Sequence, residues 1–352
     1  MVMAGAPPAS AAAERLLGTP LWSKRLTWEP VTLTAGVGLI AVAGRRGGVR
    51  VLDLDEGEER GHFALPGGVT DLAFSPDGHH LALVGPRGFG LWRALDGRLI
   101  TRTTAASCVR VCWMRPGVVA IATGCQVIVY DTDGVAQWSA APLPKAATDV
   151  ASAQGGRLLA VSLAGQVRCF MPMRREPVAV HEYGDAPDGL TLSVDGRWAV
   201  CSTQQRKTLL WETHRPATRP VECADSSGRH APVFSESGRK LAVPAERHLS
   251  LWSIGPRRPV RWAVLPVCAS ALAWQPGAGD MLATAGSDYT VRLWRAGPNS
   301  PKSSGTSLAA GHLTSPATSL VWIGRRMLAA AERGGRITLL DVSGDTPPRP
   351  GG

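Results

Sequence analysis

Residues 272–295, LAWQPGAGDMLATAGSDYTVRLWR, are the stretch from which the fold of this chain is predicted. Three short runs, at residues 270–274, 281–285 and 290–295, alternate or are continuously apolar, as half-buried β-strands are. The gaps between them contain Pro, Gly, Ser and Asp, the residues that supply a fixed φ, a positive φ and local side-chain hydrogen bonds in turns. The stretch therefore predicts three short strands joined by two turns.

The same unit recurs along the chain. Its third strand aligns on a central bulky residue in eight copies spaced by about 40 residues, which is the period of propeller blades. The aligned residues are Leu52, Trp92, Tyr130, Phe170, Trp211, Trp252, Trp294 and Leu340. The 12 Trp residues, against five Phe and three Tyr, are typical of one repeated Trp-bearing motif. Because such small sheets stack radially into a ring, we expect an all-β protein with a single propeller of eight blades, seven being the alternative.

The two ends of the repeat region predict how the ring closes. The last third strand ends near Val342, and the sequence SGDTPPRPGG that follows is too rich in Pro to form a paired strand. The strand-like segment PLWSKRLTW, residues 20–28, is expected to supply the missing strand of the last blade. The predicted organisation is a disordered or frayed segment over residues 1–18, the propeller over residues 19–343, and a disordered tail over residues 344–352.

Composition excludes several classes of protein. The chain is 44% hydrophobic and 19% charged, as a folded protein is. Its seven Cys residues contain no Cys-x-x-Cys pair and are interpreted as buried side chains of a reducing compartment. The N-terminus lacks the features of a signal peptide, and no run of about 18 apolar residues predicts a membrane span. We expect a cytoplasmic protein with no membrane partner.

The net charge of +10, carried mostly by Arg, has two explanations. Abundant Ala, Gly, Arg and Pro with few Lys are typical of a GC-rich bacterial genome. A nucleic-acid-binding protein would instead concentrate its basic residues on one helix or patch. The compositional explanation is favoured, and nucleic acid is not the expected partner.

The units TDLAFSPDGHHLALVG and ALAWQPGAGDMLATAGSDYTVRLW resemble the WD-repeat (WD40) β-propeller family, over residues 20–342. The resemblance implies a platform on which other proteins assemble, with blades held by hydrogen bonds among a His, a Ser or Thr, an Asp and a Trp. Thr284, Asp288 and Trp294 match this set in the seventh unit. Gly311-His312 precedes the eighth unit, whose turn lacks the Asp, so no blade holds the full set.

A closer similarity concerns a possible partner. The eight units, the ALAWQPG start and the WRAG end of the seventh are similar to bacterial WD-repeat proteins encoded beside CobW-type metal chaperones, which are GTPases that deliver zinc or cobalt. This similarity implies a CobW-type GTPase as a partner and places no metal site in the chain.

Candidate chemical motifs favour structural roles. Cys108 and Cys112 are too far apart along a strand for one metal ion. The histidines lack ligand spacing, and the acidic run at residues 53–59 lacks the Asp and Gly of a calcium loop. No nucleophile elbow, phosphate loop or zincin motif is present. The sequence therefore predicts no catalytic residues, no metal site and no cofactor.

One surface feature predicts binding. The turns between second and third strands open on one face of a propeller, and here they are rich in Arg. The predicted partner-binding residues are Arg45, Arg46, Arg87, Arg206, Lys207, Arg247 and Arg333. Opposing charges are few, mainly Glu246, Asp288 and Glu332, so this face is expected to attract an acidic protein.

The resulting hypothesis is a non-enzymatic scaffold of the bacterial cytoplasm that binds one or more proteins. Two alternatives stay open: a propeller enzyme with a site in the central channel, and a nucleic-acid-binding protein that uses the Arg-rich face. The predicted inner strands contain little repeated acid or His, which favours the scaffold over the enzyme. The sequence leaves the oligomeric state open.

Overall fold

The computed structural model describes residues 15–17, 19–103, 107–215, 219–225, 231–255, 258–277, 281–296 and 307–343. Within these ranges the chain forms eight antiparallel sheets of the blade type, and it contains no α-helix. The first strands of consecutive sheets contact one another around a closed circle, and the first strand of the last sheet contacts that of the first. The prediction of an all-β, eight-bladed propeller is confirmed.

Each blade has an inner, a second, a third and an outer strand, and we number the blades 1 to 8 along the chain. The inner strands of blades 1 to 8 are Pro30–Ala35, Asp71–Phe74, Cys108–Arg115, Ala147–Ser152, Pro187–Leu192, Val233–Phe234, Ala269–Trp274 and Ala317–Ile323. The second strands are Leu39–Gly44, His80–Gly85, Val118–Thr123, Leu159–Leu163, Trp198–Thr203, Lys240–Pro244, Met281–Gly286 and Met327–Glu332. A short 3₁₀ turn, Gln154–Gly156, joins the first two strands of blade 4.

The third and outer strands complete the blades. The third strands are Gly48–Asp53, Gly88–Arg93, Gln126–Asp131, Gln166–Phe170, Lys207–Glu212, Leu249–Ser253, Thr290–Arg295 and Arg336–Asp341. The outer strands are Glu59–Ala64, Leu99–Thr103, Ala136–Ser139, Ala179–Glu182, Val221–Asp225, Val260–Leu265, Ala309–His312 and, for blade 8, Pro20–Arg25. All eight aligned bulky residues of the sequence lie on third strands.

The hydrophobic core lies between the blades. The second strands Leu39–Gly44 and Met281–Gly286 are buried at every position, because a neighbouring blade covers each face of the sheet. This explains why second strands are continuously apolar instead of alternating. Between blades 7 and 8, for example, Leu293 packs with Leu320 and Trp322 in one cluster.

Indole hydrogen bonds join the inner strands of neighbouring blades. Trp113, Trp274 and Trp322 occupy equivalent positions, and each Nε1–H donates to a backbone carbonyl of the preceding blade at 2.9 Å. In blade 4 the hydroxyl of Ser152 makes the same bond, to the carbonyl of Trp113, at 2.9 Å. Part of the Trp excess therefore serves to link blades at the central channel.

The N-terminal strand closes the ring, as predicted. Pro20–Arg25 pairs antiparallel with the third strand of blade 8, Arg336–Asp341. Trp22 ties this strand to blade 1, since its Nε1–H donates to the carbonyl of Leu54 at 2.9 Å. Leu26, which follows the strand, is buried between the same two blades.

The predicted terminal segments lie mostly outside the described residues. Within residues 1–18, however, Arg15–Leu16 form a short strand parallel to the outer strand of blade 7, and Leu17 is buried. Strand pairing thus begins before the predicted boundary at residue 19, because the outer strand of blade 7 has an edge free to pair with it. The part of the chain that the structure describes contains no helix long and apolar enough to cross a membrane.

Because each blade is an antiparallel meander, its connections fall on two faces. We call proximal the face where inner strands begin, which carries the turns between second and third strands. We call distal the face where inner strands end, which carries the turns between first and second strands and the loops between third and outer strands.

Candidate protein-binding surface

The residues predicted to bind a partner are all exposed on the proximal face. They are Arg45, Arg46, Arg87, Arg206, Lys207, Arg247 and Arg333. Tight turns present them: the N–H of Gly47 donates to the carbonyl of Gly44 at 3.0 Å, which places Arg45 and Arg46 at the two central positions. Central residues of such a turn make no ladder hydrogen bonds, so their side chains extend into solvent.

Three of the seven basic residues take part in ion pairs. Arg206 contacts Glu246 at 2.5 Å, and Lys207 contacts Glu222 at 3.6 Å. Arg333 contacts Glu29 at 3.5 Å. These exposed pairs hold the side chains only weakly, because solvent screens them.

The remaining four, Arg45, Arg46, Arg87 and Arg247, have no ion pair among the described residues. Of the expected counter-charges, Glu246 pairs with Arg206, and the carboxylate of Asp288 accepts from Arg292, on the third strand of blade 7, at 2.7 Å. Positive charge on the proximal face is therefore only partly neutralised within the described chain.

A cavity of about 660 Å³ lies where the inner strands of blades 1, 7 and 8 begin, beside the turn of blade 6. Arg45, Arg247 and Arg333 line it, together with Glu29 and Glu246. Because it spans four consecutive blades at the start of their inner strands, it forms part of the mouth of the central channel. Cations grouped around a concave mouth concentrate positive potential there.

Glu332 has a different role from the other acids of this face. Its side chain is only 1% exposed and accepts hydrogen bonds from the N–H groups of Thr314 and Ser315 at 2.7 and 2.8 Å. The hydroxyl of Thr314 donates to the same carboxylate at 2.6 Å. Glu332 thus fixes the loop before blade 8, in the blade whose turn lacks the expected Asp.

The family's hydrogen-bonding set is present only in part. In blade 7 the indole N–H of Trp294 donates to the hydroxyl of Thr284 at 2.8 Å inside the core. Asp288 instead holds its own turn, accepting from the N–H and hydroxyl of Thr290 at 3.2 and 2.7 Å. His312 is exposed, and its side chain makes no hydrogen bond with the described residues.

The channel contains a charged set that sequence reasoning missed. Asp71, Arg110 and Asp149 occupy equivalent positions on the inner strands of blades 2, 3 and 4. Arg110 and Asp149 are each the third residue of their strands, which begin at Cys108 and Ala147. Arg110 Nε lies 3.5 Å from Asp149 Oδ1. Aligning inner strands, as was done for third strands, would have revealed this set.

These carboxylates hold neighbouring blades together. Asp71 Oδ2 accepts from the N–H of Val111 at 3.2 Å, and Asp149 Oδ2 accepts from the N–H of Leu190 at 2.9 Å. Burial raises the pKa of Asp71 to about 6 although the nearby Arg110 opposes the shift, and burial raises the pKa of Asp149 as well. Because backbone N–H groups already donate to these carboxylate oxygens, the role of the set is to join neighbouring blades.

The other candidate chemical motifs are structural. Cys108 is buried between blades 2 and 3, and a bulge at residues 108–110 separates its environment from that of Cys112. Asp53, at the start of the acidic run, accepts from the N–H groups of Glu56 and Glu58 and pairs with Arg60 at 2.7 Å. No group of three or more His, Cys, Asp or Glu side chains in the described ranges could hold a metal ion.

The geometry defines an eight-bladed propeller with a partly neutralised basic surface at one mouth of its channel. A family model described as "WD domain, G-beta repeat" matches residues 57–85. This match runs from the outer strand of blade 1 into the second strand of blade 2, so the sequence repeat is offset from the blade by one strand. The matched repeat and the ring of eight blades together support the WD40-repeat propeller family.

Comparison with known proteins supports the fold alone. The chain is similar to the crystal structure of the computationally designed Ika8 protein, with a TM-score of 0.73 and 14% identity. That similarity covers 92% of this chain and 100% of the designed one. No curated protein matches the sequence.

Proposed function

We propose that this propeller is a non-enzymatic scaffold of the bacterial cytoplasm that binds an acidic protein surface at its proximal mouth. The observation that carries the proposal is the group of exposed arginines, Arg45, Arg46, Arg87 and Arg247, with no ion pair among the described residues. Unpaired surface cations steer an acidic partner and lower the desolvation cost of contact, because no existing pair must be broken. Propellers of this family mostly act as platforms for other proteins, which supports the same function.

A CobW-type GTPase is the partner that the sequence similarity suggests, and it is the first protein to test. The enzyme alternative is disfavoured because the charged channel set, Asp71, Arg110 and Asp149, is engaged in contacts between blades. The nucleic-acid alternative makes a different prediction: affinity would fall steeply between low and moderate salt.

The test compares two triple variants. Arg45→Glu, Arg46→Glu and Arg247→Glu reverse the unpaired charge of the proximal mouth. The control reverses three exposed arginines away from that mouth and carries the same change in net charge. It consists of Arg102→Glu, Arg261→Glu and Arg325→Glu.

The wild type and both variants are immobilised and exposed to a nuclease-treated lysate of the source cell and, separately, to a purified CobW-type GTPase. We expect the mouth variant to retain at least about tenfold less partner at low salt, whereas the control retains the wild-type amount. Equal retention by the mouth variant would refute the proposal. Partners that are retained from an untreated lysate but lost from the nuclease-treated one would favour nucleic-acid binding instead.

A further inference from the structure

The distal face carries an apolar groove between blades 3 and 4, on the side of the ring opposite to the basic mouth. Its volume is about 850 Å³, and its floor includes the buried side chain of Met114 and the half-buried ring of Trp138. Met171 and Met173 form one wall, and they are 38% and 83% exposed. Large apolar side chains at this exposure mark interaction sites when they surround a concavity.

The wall has a backbone conformation that its sequence does not favour. Residues 171–174 form a turn in which the N–H of Arg174 donates to the carbonyl of Met171 at 3.1 Å. Pro172 occupies the second position, and Met173 occupies the third with φ of 71°. This position of a type II turn favours Gly, because a side chain at positive φ is strained. Met173 therefore occupies an unfavourable site while its side chain packs little against the protein.

The groove is held open by contacts on both sides. The N–H of Ala141, after the outer strand of blade 3, donates to the carbonyl of Arg175 in the blade 4 loop at 2.8 Å. The ring of Trp138 meets that of Phe170 edge to face, with centroids 6.1 Å apart. The Nε1–H of Trp138 is buried and has no acceptor among the described residues.

The rim of the groove is positively charged. Four exposed arginines line it or flank its Met wall, with no ion pair among the described residues; they are Arg115, Arg157, Arg174 and Arg175. Asp131, the acid in the lining, is occupied by its own loop, since it accepts from the N–H groups of Asp133 and Val135 and from Gln137. Glu176 is the acidic residue of the Met loop. The rim therefore complements an anionic ligand.

We propose that this groove binds a short acidic segment of a partner protein, one that carries apolar side chains between its carboxylates. The apolar side chains pack against Met171, Met173 and the ring of Trp138, and the carboxylates face Arg115 and Arg157. Methionine suits such a surface because its flexible thioether adapts to different apolar partners. This second surface is independent of the proximal mouth.

The binding test uses synthetic peptides and methyl resonances of methionine. The probe is a peptide of alternating Leu and Glu, and its two matched controls replace Glu by Lys or Leu by Ser. In protein labelled with ¹³C at the methionine methyls, we expect the Leu-Glu peptide to shift the resonances of Met171 and Met173. Met281 and Met327, on blades 7 and 8, serve as internal controls and should not move. Absence of shifts at Met171 and Met173, or equal shifts with either control peptide, would overturn the proposal.

Two variants separate binding from folding. Met173→Gly relieves the strained turn, so its thermal midpoint should rise by roughly 1–2 °C while its affinity for the Leu-Glu peptide falls by about tenfold. Arg115→Glu with Arg157→Glu should weaken the same peptide by at least about tenfold without changing the fold. A Met173→Gly protein that is less stable, or that binds the peptide as the wild type does, would contradict the proposal. Self-association that Met173→Gly abolishes would assign the groove to a second copy of the chain and would also overturn it.

Discussion

The indole–hydroxyl bond of blade 7 offers the sharpest test of how the ring is held together. Trp294 and Thr284 are both buried, and the hydrogen bond between them, at 2.8 Å, is shielded from solvent. Thr284→Val keeps the shape of the side chain and removes the acceptor. Trp294→Phe removes the donor. Combining both variants gives a double-mutant cycle in which the pairwise term can be measured.

The expected magnitude follows from the burial of both partners. A neutral hydrogen bond contributes a net of about 1 kcal/mol, and leaving one buried partner unsatisfied costs roughly 1–3 kcal/mol. Thr284→Val should therefore lower the free energy of unfolding by about 2 kcal/mol. Trp294→Phe should cost more, because the smaller ring also leaves a cavity. The double variant removes both polar groups, so the coupling energy should be about 1–2 kcal/mol.

Blade 6 contains the corresponding natural control. Trp252 faces Leu241 in the strand register as Trp294 faces Leu282, and Val243 takes the place of Thr284. The Nε1–H of Trp252 is buried and has no partner among the described residues. A hydroxyl placed in a core normally destabilises it. Here Val243→Thr should instead be neutral or stabilising by up to about 1 kcal/mol, because the unpaired indole gains its acceptor.

The assay for both blades is urea unfolding at equilibrium, with the slope of the transition required to stay constant across the variants. Additive single variants in blade 7, with a coupling energy below about 0.3 kcal/mol, would refute the claim that the bond stabilises the blade. A loss of about 1 kcal/mol or more in Val243→Thr would show that the strand register does not place the hydroxyl within reach of the indole.

Two further predictions concern ring closure and the channel. Deleting residues 1–29 removes the outer strand of blade 8 and should lower the thermal midpoint by at least about 10 °C; a truncated chain that melts with the wild type would contradict the closure. Because the pKa of Asp71 is raised to about 6, the folded chain binds a proton that the unfolded chain releases between about pH 4 and 6, so this group makes stability fall as pH rises. The unfolding free energies of the wild type and of Asp71→Asn are measured at pH 4 and at pH 6.5, and the difference between the two proteins should change by about 1–3 kcal/mol between these pH values. A difference that is the same at both pH values would contradict the shifted pKa.

Most of the fold could be predicted because its signal is local and repeated. Each third strand carries a bulky residue, such as Trp211 or Trp252, which is buried in seven blades and half-buried at Tyr130 in blade 3. Eight such signals define the ring. The closing strand was predictable because the last blade lacked a partner and Trp22 lies in a strand-like segment. A short run such as Arg15–Leu16 gives too little periodicity to be recognised, although it is paired in the structure.

The two proposed binding surfaces were harder to predict because they depend on contacts between repeats. The turn positions of Arg45 and Arg247 followed from the strand order, but the ion pairs of Arg206 and Arg333 depend on Glu246 and Glu29 in neighbouring blades. Sequence counts of acidic and basic residues cannot distinguish paired from unpaired charge. The conformation at Met173 is likewise visible only in the backbone.

The weak hydrogen-bonding set and the charged faces have one physical explanation. Blades in this chain are held mainly by apolar cores between the sheets and by hydrogen bonds such as that of the Trp113 indole. Some turn and loop side chains are therefore not needed to hold the blades together. Those positions can carry residues that folding does not require, including Arg45 on the proximal face and Met173 on the distal face. Because the strands between the faces are about six residues long, the two surfaces are separated by roughly 20 Å. That separation leaves room for both of the proposed partners on one ring without contact between them, which a single binding face would not permit.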